Sequence, residues 1–336
     1  MGVVTFGFLS TARINDHLLA AARASDLVDV LAVASRDHAR ADAYVREHSI
    51  ERAYGSYDDL LADPDVEAVY VSLPNALHVE WSIRALEAGK HVLCEKPFTR
   101  RPEDVERAFD AAKRAGRFLM EAFMFRHHPQ TMRVKQLVDE GAIGELRAMR
   151  GAFSFDLLAE RDAEDVRLNA DLDGGALMDV GCYCVSGARL LAGEPERVWG
   201  EQVPAPSGVD MSFYGTLRFP GDVVAQFHCS LALPFRQELE LLGAEGSLLV
   251  EAPWRVDLGG DVFLRRASAV EEIDVEEADA YRLELENLAA AIRGDATPLL
   301  GRDDAAGQAA AIAALYGAAE RGTEGATVKQ FSARGD

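Results

Sequence analysis

The sequence predicts an α/β protein in which a doubly wound parallel sheet is followed by a C-terminal α/β domain with a large, mostly antiparallel open sheet. Up to about residue 125, short β-branched apolar runs alternate with longer segments of helical periodicity. After residue 144, strand-like segments joined by Gly and Pro turns predominate. The 336 residues exceed what one ordinary core requires, so we expect two domains, 1–125 and 126–336.

The alternation of strands and helices organises the first domain. The predicted strands are Val3–Phe6, Val28–Ala34, Ala68–Leu73, His91–Cys94 and Phe118–Ala122. The predicted helices are Ala12–Ala24, Ala39–His48, Ala76–Ala88 and Pro102–Ala115. Right-handed βαβ crossovers follow from this order, and they give a Rossmann arrangement with helices on both faces of the sheet.

The second domain is predicted to be rich in strands and to contain three helices. The strands are Glu145–Asp156, Arg197–Val203, Ser212–Phe219, Val223–Leu231, Gln237–Leu242 and Ser247–Glu251. The helical stretches are Gly175–Leu191, Tyr281–Arg293 and Asp303–Arg321. Neighbouring strands joined by short turns pair antiparallel, so this sheet differs in kind from the first.

Charge and composition argue against several classes of protein. Acidic residues outnumber basic ones by 56 to 35, and the net charge of -21 repels nucleic-acid phosphates and anionic lipid surfaces. No stretch approaches the roughly 18 apolar residues of a membrane span, and the N-terminus lacks the basic region of a signal peptide. Four cysteines and eight histidines show no CxxC or zinc-type spacing, which predicts a cytoplasmic protein without a metal site.

A glycine turn follows the first predicted strand. The segment GFLSTA, residues 7–12, stands where a dinucleotide fingerprint would read GxGxxG or GxGxxA. We expect Gly7 to make the tight turn and Ala12 to permit close helix packing, while Leu9 replaces the middle glycine. Ser10 and Thr11 can offset that loss by donating to a pyrophosphate at the helix N-terminus. The alternative is an ordinary β-to-α turn that binds nothing.

Basic residues follow the second predicted strand. Ser35 and Arg36 stand where an NAD-specific protein would place an acid for the ribose 2′-hydroxyl. Arg36, with Arg40 one turn further on, can bind a 2′-phosphate, so the sequence favours NADP(H) and leaves NAD(H) possible. The alternative is a solvated arginine paired with Asp37.

A lysine between a glutamate and a proline ends the strand His91–Cys94. Ligands bind at the carboxyl ends of parallel strands, so we expect Lys96 to face a nicotinamide, with Pro97 fixing the turn. Burial would lower the lysine pKa and allow proton donation or electrostatic stabilisation. An exposed lysine without chemical function is the alternative.

Asp179 and Tyr183 lie four residues apart in a predicted helix and therefore on one face. Together with Lys96 they form a set suited to carbonyl reduction. The tyrosine would exchange the hydroxyl proton, the lysine would lower the tyrosine pKa, and the carboxylate would orient the lysine or the sugar. Alternatively, Asp179 caps a helix and Tyr183 belongs to the core.

Five segments together resemble the Gfo/Idh/MocA oxidoreductases, which are named for glucose-fructose oxidoreductase, inositol dehydrogenase and a rhizopine-catabolism protein. The segments are Gly7–Ile14, Leu73–Asn75 with His78, Glu95–Pro97, Glu121–Pro129 and Asp179–Tyr183. The resemblance covers nearly the whole chain, and EKP followed by DxGxY at this distance is specific.

The resemblance implies NAD(P)-dependent hydride transfer to or from a sugar, keto sugar or cyclitol. Lys96 matches the catalytic lysine, which often precedes a cis-proline, while Asp179 and Tyr183 match the acid and the His-or-Tyr position of the second motif. Tyrosine at that position, with Ser35 and Arg36, is similar to NADP-linked pentose and dihydrodiol dehydrogenases, anhydrofructose reductases and deoxysugar ketoreductases. A homodimer or homotetramer formed through the C-terminal sheet is also implied.

Residues at neighbouring strand ends are expected to complete the pocket. The cofactor side includes Leu73, Pro74, Asn75, His78, Glu95, Lys96, Pro97 and Arg126, although Asn75 is equally suited to capping a helix. The substrate side includes Lys96, Phe125, His127, Asp179 and Tyr183, with surface histidines as the alternative.

Three questions stay open from the sequence. Either Lys96 or Tyr183 can be the immediate proton donor. The protein can also be a non-catalytic NAD(P)-binding regulator, or a redox-assisted glycosidase of the same family. The particular sugar is set by side chains of the second domain.

Overall fold

A parallel sheet of six strands forms the first half of the chain in this computed structural model, which describes residues 2–160 and 164–321. The strands are β1 Val4–Leu9, β2 Val28–Ala34, β3 Arg52–Tyr54, β4 Ala68–Val71, β5 His91–Glu95 and β6 Leu119–Ala122. Their spatial order is β3-β2-β1-β4-β5-β6. This order reverses direction between β1 and β4, which is the point where doubly wound sheets bind dinucleotides.

Helices connect these strands. They are α1 Asn15–Arg23, α2 His38–His48, α3 Tyr57–Leu61, α4 His78–Glu87, α5 Pro102–Ala115 and α6 Pro129–Asp139. Local sequence explains several ends: Asp37 caps α2 by accepting from the amide of Ala39, and Pro102 occupies the first turn of α5. Gly116 ends α5 in the left-handed conformation.

An eight-stranded sheet forms the second half, with the order β14-β13-β12-β11-β7-β10-β9-β8. Its strands are β7 Leu146–Asp156, β8 Arg197–Pro204, β9 Asp210–Arg218, β10 Val224–Ser230, β11 Ala232–Gly243, β12 Ser247–Val250, β13 Val262–Arg266 and β14 Ala269–Glu272. The accompanying helices are α7 Leu157–Glu160, α8 Cys182–Ala192, α9 Ala280–Arg293 and α10 Arg302–Arg321. Among the strand pairings of the described residues in this sheet, only that of β7 with β10 is parallel. The predicted fold class is therefore confirmed.

One hydrophobic core joins the two sheets. It runs from Phe6 and Phe8 on one face of the parallel sheet, through Phe123 and Phe125, to Phe213 on the second sheet. A separate core fills the opposite face of the parallel sheet. Because packed side chains bridge the sheets, the strand ends of the first sheet have a fixed position relative to the second. Within the described ranges, no helix is both long enough and apolar enough to cross a bilayer.

Several elements escaped prediction. The missed strands and helices are Arg52–Tyr54, Tyr57–Leu61, Pro129–Asp139, Leu157–Glu160, Val262–Arg266 and Ala269–Glu272. The strand Arg52–Tyr54 is only three residues long, too short to show an alternating pattern. The first helix begins at Asn15, later than the predicted Ala12, because residues 12–14 form a turn.

The predicted helix Gly175–Leu191 is two different elements. Leu177–Gly181 forms a π-helical turn, and the α-helix starts only at Cys182. Close packing accompanies the distortion, since a Cβ on Gly181 would lie 2.6 Å from the Cys229 sulfur of β10. Such π turns are rare and often mark functional sites.

Candidate active site

Lys96 and Asp179 meet between the two sheets. Lys96 follows β5, and its Nζ donates to the Asp179 carbonyl at 2.7 Å and to the Asp179 Oδ1 at 3.2 Å. Both side chains are largely buried, with 13% and 17% exposure. The π turn presents the carbonyl as well as the carboxylate of Asp179, and the Cys182 thiol also donates to that carbonyl, at 3.5 Å. The lysine is therefore held at two points by one residue of the other domain.

The protonation of Lys96 follows from this contact. Burial by itself lowers the pKa of Lys96, but Asp179, Cys182 and Glu95 outweigh it and leave the pKa above its ordinary value. This corrects the expectation of a lowered lysine pKa. For Asp179, burial raises the carboxyl pKa, but Arg167 and Lys96 outweigh it and the pKa is lowered. The pair is thus an ammonium and a carboxylate at neutral pH.

Tyr183 lies against Lys96 through its ring. The Lys96 Nζ is 4.9 Å from the ring centroid, whereas the hydroxyl points to the Met124 sulfur at 3.9 Å. The rings of Phe123, Phe125 and Phe153 surround the tyrosine. Burial raises the pKa of Tyr183 well above 10, so the phenol is neutral. This corrects the expectation that Lys96 lowers the tyrosine pKa.

Arg167 is a site residue that sequence reasoning missed. Its Nε lies 2.8 Å from the Asp179 Oδ2, and Asp165 pairs with its Nη1 at 3.3 Å. The two oxygens of Asp179 are therefore divided between two cations, Lys96 and Arg167. No motif marks this arginine, because it lies in a short 3₁₀ segment twelve positions before Asp179.

Glu95 lies behind the lysine. The Tyr70 hydroxyl donates to its carboxylate. Burial raises the pKa of Glu95 above its ordinary range, although Lys96 and Tyr70 oppose this. The glutamate contributes to the electrostatic environment of Lys96, and its hydrogen bond goes to Tyr70 of the neighbouring strand β4.

The turn after Lys96 is braced from within the Rossmann domain. The Lys96–Pro97 peptide bond is cis. His78 Nδ1 lies 3.0 Å from the Pro97 carbonyl, and its Nε2 lies 2.8 Å from the Leu73 carbonyl. The imidazole is completely buried, so the expectation that His78 contacts a cofactor is corrected. It supports the backbone at the ends of two strands.

The glycine turn differs in register from the prediction. Gly7 lies inside β1, where a Cβ would come within 2.6 Å of a Leu60 methyl group, so any side chain there would make Leu60 of α3 shift. Leu9 is also in β1 and its side chain is fully buried. Ser10 has a φ of 151°, a conformation that favours glycine. The special backbone position is therefore Ser10, and the roles assigned to Gly7 and Leu9 are corrected.

Hydroxyl groups hold the Ser10 turn. The Ser10 Oγ donates to the Ser72 carbonyl at 2.9 Å, lies 2.7 Å from the Ser72 hydroxyl and accepts from the amide of Ala12 at 3.1 Å. Asn15 donates to the Ser10 carbonyl at 2.9 Å. Thr11 and Ala12 are half-buried in the turn that leads to α1. Within the turn, the amides of Asn15, Asp16 and His17 already donate to carbonyls of residues 12–14. The amides of Thr11, Arg13 and Ile14 make no such hydrogen bond among the described residues, and they are the ones suited to an anion.

The end of β2 presents two arginines. Ser35 is buried and accepts from the amide of Asp37 at 3.3 Å. Arg36 and Arg40 are exposed, and neither has an ion-pair partner in residues 2–160 and 164–321. Asp37, the alternative partner of Arg36, caps α2. The two guanidinium groups are therefore available to a dianionic phosphate.

Asn75 reaches across to the second domain. It begins a 3₁₀ turn whose N-cap residue is Pro74. Its amide donates to the Asp173 carbonyl at 2.8 Å. The structure thus gives Asn75 an interdomain contact that neither sequence interpretation anticipated.

Three predicted pocket residues lie deeper than expected. Phe125 is 1% exposed and packs on Tyr183 and Trp254, so it supports the tyrosine from behind and cannot line the cleft. Arg126 donates to the Ser186 hydroxyl at 3.0 Å and to Asp304 at 3.2 Å, which ties it to α8 and α10. Burial lowers the pKa of His127 to about 4. These positions correct the assignment of Phe125 to the substrate and of the Arg126 side chain to the cofactor.

Comparison with protein families identifies the class of protein that this fold and site define. Residues 1–123 match the model described as "Oxidoreductase family, NAD-binding Rossmann fold". Residues 131–249 match the GFO/IDH/MocA C-terminal domain. The chain therefore belongs to the Gfo/Idh/MocA oxidoreductase family, as the motifs predicted.

Individual relatives share both domains. D-xylose 1-dehydrogenase (NADP(+)) 2 from Haloferax volcanii is 39% identical over 321 residues, which cover 94% of this chain and 98% of the relative. The crystal structure of KijD10, a 3-ketoreductase from Actinomadura kijaniata in complex with NADP and TDP-benzene, has a TM-score of 0.88 at 32% identity and covers 94% of this chain and 98% of its own. Aldose-aldose oxidoreductase from Caulobacter crescentus has a TM-score of 0.88 at 26% identity and covers 95% and 98%.

A nicotinamide dinucleotide fits the residues present. The amides at the Ser10 turn suit a pyrophosphate, and Arg36 and Arg40 suit a 2′-phosphate. Asp179 and Lys96 lie at the carboxyl end of β5, on the side of the sheet where such ligands bind. The donor set therefore matches the cofactor that the family implies.

Because Asp179 pairs with both Lys96 and Arg167, we expect substitutions of Asp179 and of Arg167 to shift the pH dependence of kcat in opposite directions. Asp179 holds the pKa of Lys96 up, and Arg167 holds it down. If turnover requires the protonated amine, Asp179→Asn shifts the alkaline limb of the pH–kcat profile to lower pH. Arg167→Gln leaves Asp179 to Lys96 alone and shifts that limb to higher pH. Steady-state rates from neutral to alkaline pH test this, and shifts in the same direction contradict it.

Proposed function

We propose that the protein transfers a hydride between NADP(H) and the carbonyl or alcohol group of a carbohydrate. One observation supports this most strongly: a protonated lysine from the Rossmann sheet is fixed by Asp179 beside a neutral tyrosine, at the edge where a nicotinamide fits. A cation and a phenolic hydroxyl are the groups that carbonyl reduction needs near the reacting oxygen.

Lys96 has one hydrogen-bond donor left for substrate. An ammonium group has three N–H donors, and Asp179 accepts from two of them. The third can donate to the reacting oxygen and stabilise the negative charge that develops there. Asp179 keeps the amine protonated and fixes its direction, so it acts on the reaction through Lys96.

Tyr183 is suited to give the proton in reduction. A bound nicotinamide supplies or accepts the hydride. Reduction adds that hydride to the carbonyl carbon and leaves negative charge on the oxygen, which Lys96 stabilises. The neutral phenol then donates its proton to complete the alcohol, because its contact with the Met124 sulfur is a weak hydrogen bond. Water restores the phenol proton, and oxidation of an alcohol follows the same path in reverse.

The substrate class is supported by the relatives. Named relatives of high coverage act on sugars: a D-xylose dehydrogenase, a 3-ketoreductase and an aldose-aldose oxidoreductase. A sugar carries several hydroxyls around its carbonyl, and the half-buried polar groups of Arg167 and Asp179 can bind them. We therefore propose a monosaccharide or an activated sugar as substrate.

We also propose that two copies associate through the open face of the second sheet. Alternate residues of β9, such as Phe213 and Leu217, are fully buried toward the helices. On the opposite face Trp199, Val203 and Tyr214 are exposed large side chains, and Tyr214 stacks on His228. Several large exposed side chains gathered on one sheet face form a surface suited to association.

The four cysteines are buried free thiols, which supports our proposal of a reducing, cytoplasmic setting.

Loss of the amine or the phenol should abolish turnover. Following NADPH absorbance with pentoses, keto sugars and anhydro sugars, we expect stoichiometric cofactor consumption by the wild type. Lys96→Ala should lower kcat by roughly 10²-fold to 10³-fold, because it removes the charge that stabilises the oxyanion. Tyr183→Phe should lower kcat by roughly 10²-fold or more, because the proton donor is lost. Tight cofactor binding without consumption by the wild type would favour a regulator or a redox-assisted glycosidase instead.

The arginine after β2 should determine the choice of cofactor. Arg36→Ala should raise KM for NADP about tenfold or more, since charge-assisted hydrogen bonds contribute roughly 1.5–3 kcal/mol. KM for NAD should change little because NAD lacks the 2′-phosphate. Arg46→Ala, an exposed arginine further along α2, is the matched control. An equal loss for both cofactors would overturn the assignment.

A charge on the open face should separate the copies. Trp199→Glu replaces a large exposed ring of this face with a carboxylate, so sedimentation velocity should show a shift to the monomer mass. Met132→Glu, at an exposed methionine of α6, should leave the mass unchanged. A wild type that sediments as a monomer at micromolar concentration would refute the interface.

A further inference from the structure

Two chain segments run from the catalytic pair to a second ion pair. The first begins at Lys96 and reaches Arg100 and Arg101. The second begins at Asp173 and reaches Asp179. At one end the two segments are joined by the ion pair of Lys96 and Asp179. At the other end Arg100 and Arg101 pair with Asp173. The two segments belong to different domains and are therefore fixed to each other at both ends.

Asp173 collects four polar contacts from the Rossmann domain. Arg101 binds its carboxylate through two nitrogens, at 2.7 Å and 3.0 Å. Arg100 adds an ion pair at 3.1 Å, and the carbonyl accepts from Asn75. The Asp173 side chain is 5% exposed. Paired, bidentate geometry of this kind fixes position as well as charge.

The backbone transmits the position of Asp173 to Asp179 through close contacts. Gly174 has no room for a Cβ, which would lie 2.3 Å from the Arg167 carbonyl. Gly175 has a φ of 119° and donates to that same carbonyl at 2.9 Å, while its own carbonyl accepts from the Asp179 amide at 2.9 Å. The π turn begins directly afterwards. A displacement of Asp173 therefore moves the turn that carries Asp179.

A buried carboxylate, that of Asp210, also holds the π turn that carries Asp179. Asp210 accepts from the Leu177 amide at 2.6 Å and from the Tyr316 hydroxyl at 2.8 Å. Arg100 lies over the Tyr316 ring, 5.3 Å from its centroid. The same arginine therefore contacts Asp173 and the tyrosine that supports Asp210.

We propose that Asp173, clamped by Arg100 and Arg101, is a positioning residue that holds Asp179 at Lys96. This rests on the proposed function, in which the Lys96–Asp179 contact keeps the amine charged and aimed at the reacting oxygen. Displacement by about 1 Å at such a contact can reduce turnover by about a hundredfold. Asp173 itself touches neither reacting group, so it acts only through Asp179.

Attachment of the two domains does not depend on this clamp. Arg293 of α9 makes two contacts with Glu67, at 2.7 Å and 2.8 Å. Arg302 of α10 binds Glu106 and Asp110 of α5. These ties remain when Asp173 changes, and the shared hydrophobic core remains as well. The clamp is therefore separable from folding, which makes its role testable.

The variants Asp173→Asn and Arg101→Gln, alone and combined, test the clamp. Asparagine tolerates the left-handed conformation of Asp173, whose φ is 54°, so the backbone is kept while the carboxylate that pairs with the arginines is lost. Asp171→Asn, at an exposed carboxylate two residues earlier, is the matched control. The measurements are kcat, KM for NADP, the melting temperature and the pKa of Lys96. The chain has five lysines (Lys90, Lys96, Lys113, Lys135 and Lys329), so the Cε signals of unmodified ¹³C-labelled lysines can be titrated by NMR, with Lys96→Arg assigning the signal.

We expect Asp173→Asn to lower kcat by about tenfold to a hundredfold and to shift the Lys96 pKa downward, because Asp179 moves away from the amine. KM for NADP should change less than about twofold, and the double variant should be no slower than the single ones, as for residues acting as a unit. Asp171→Asn should match the wild type.

Other outcomes overturn the proposal. An unchanged Lys96 pKa in folded Asp173→Asn shows that the clamp does not act on the pair. Parallel losses of melting temperature, NADP affinity and kcat show a merely structural role, as do additive losses in the double variant. The NMR titration needs no turnover. If the wild type consumes no NADPH but its Lys96 pKa still depends on Asp173, the proposed function fails while the clamp stands.

Discussion

The ionic contact between Lys96 and Asp179 constrains how the two domains pack against each other. Each residue comes from a different sheet, and each would be costly to bury alone. The amine emerges from the carboxyl end of β5 and the carboxylate from a turn packed on the second sheet. The two domains must therefore keep their relative position closely enough for this hydrogen-bonded ion pair to form. The core that continues from Phe8 to Phe213 supplies that rigidity.

The site is assembled from departures from regular structure. Ser10 adopts a conformation that favours glycine, and Asp173 is left-handed. Asp179 lies in a π turn that exposes its carbonyl to Lys96. Strained or irregular backbone is concentrated at functional positions when the surrounding packing holds it in place. Here His78 and Asp210 provide such support beneath the turns.

Sequence patterns were informative where periodicity or a rare motif marked a position. The alternation of strands and helices predicted the parallel sheet and most of the second sheet. The EKP and DxGxY segments pointed to Lys96, Asp179 and Tyr183, which lie together in the structure. Arg167 and Asp173 escaped, because ion pairs between distant loops leave no local pattern. The direction of the Tyr183 hydroxyl and the raised Lys96 pKa depend on packing that spacing alone does not specify. Helix α6 was not predicted, although Pro129 stands in its first turn. His128 caps this helix through its side chain, and that contact is visible only in the structure.

The glycine inside the DxGxY motif has a meaning different from that of its neighbours. A methyl group at Gly181 would collide with the Cys229 sulfur and a Leu177 methyl group. The residue at this position is therefore constrained by the packing of the helical turn against β10. Under the proposed function, Asp179 and Tyr183 are constrained instead by the chemistry of the cleft. We expect a homologue that keeps this fold but lacks redox activity to retain Gly181, while the residues at the positions of Asp179 and Tyr183 vary. Gly181 therefore reports on the packing of the fold, whereas under the proposed function the two polar positions report on activity.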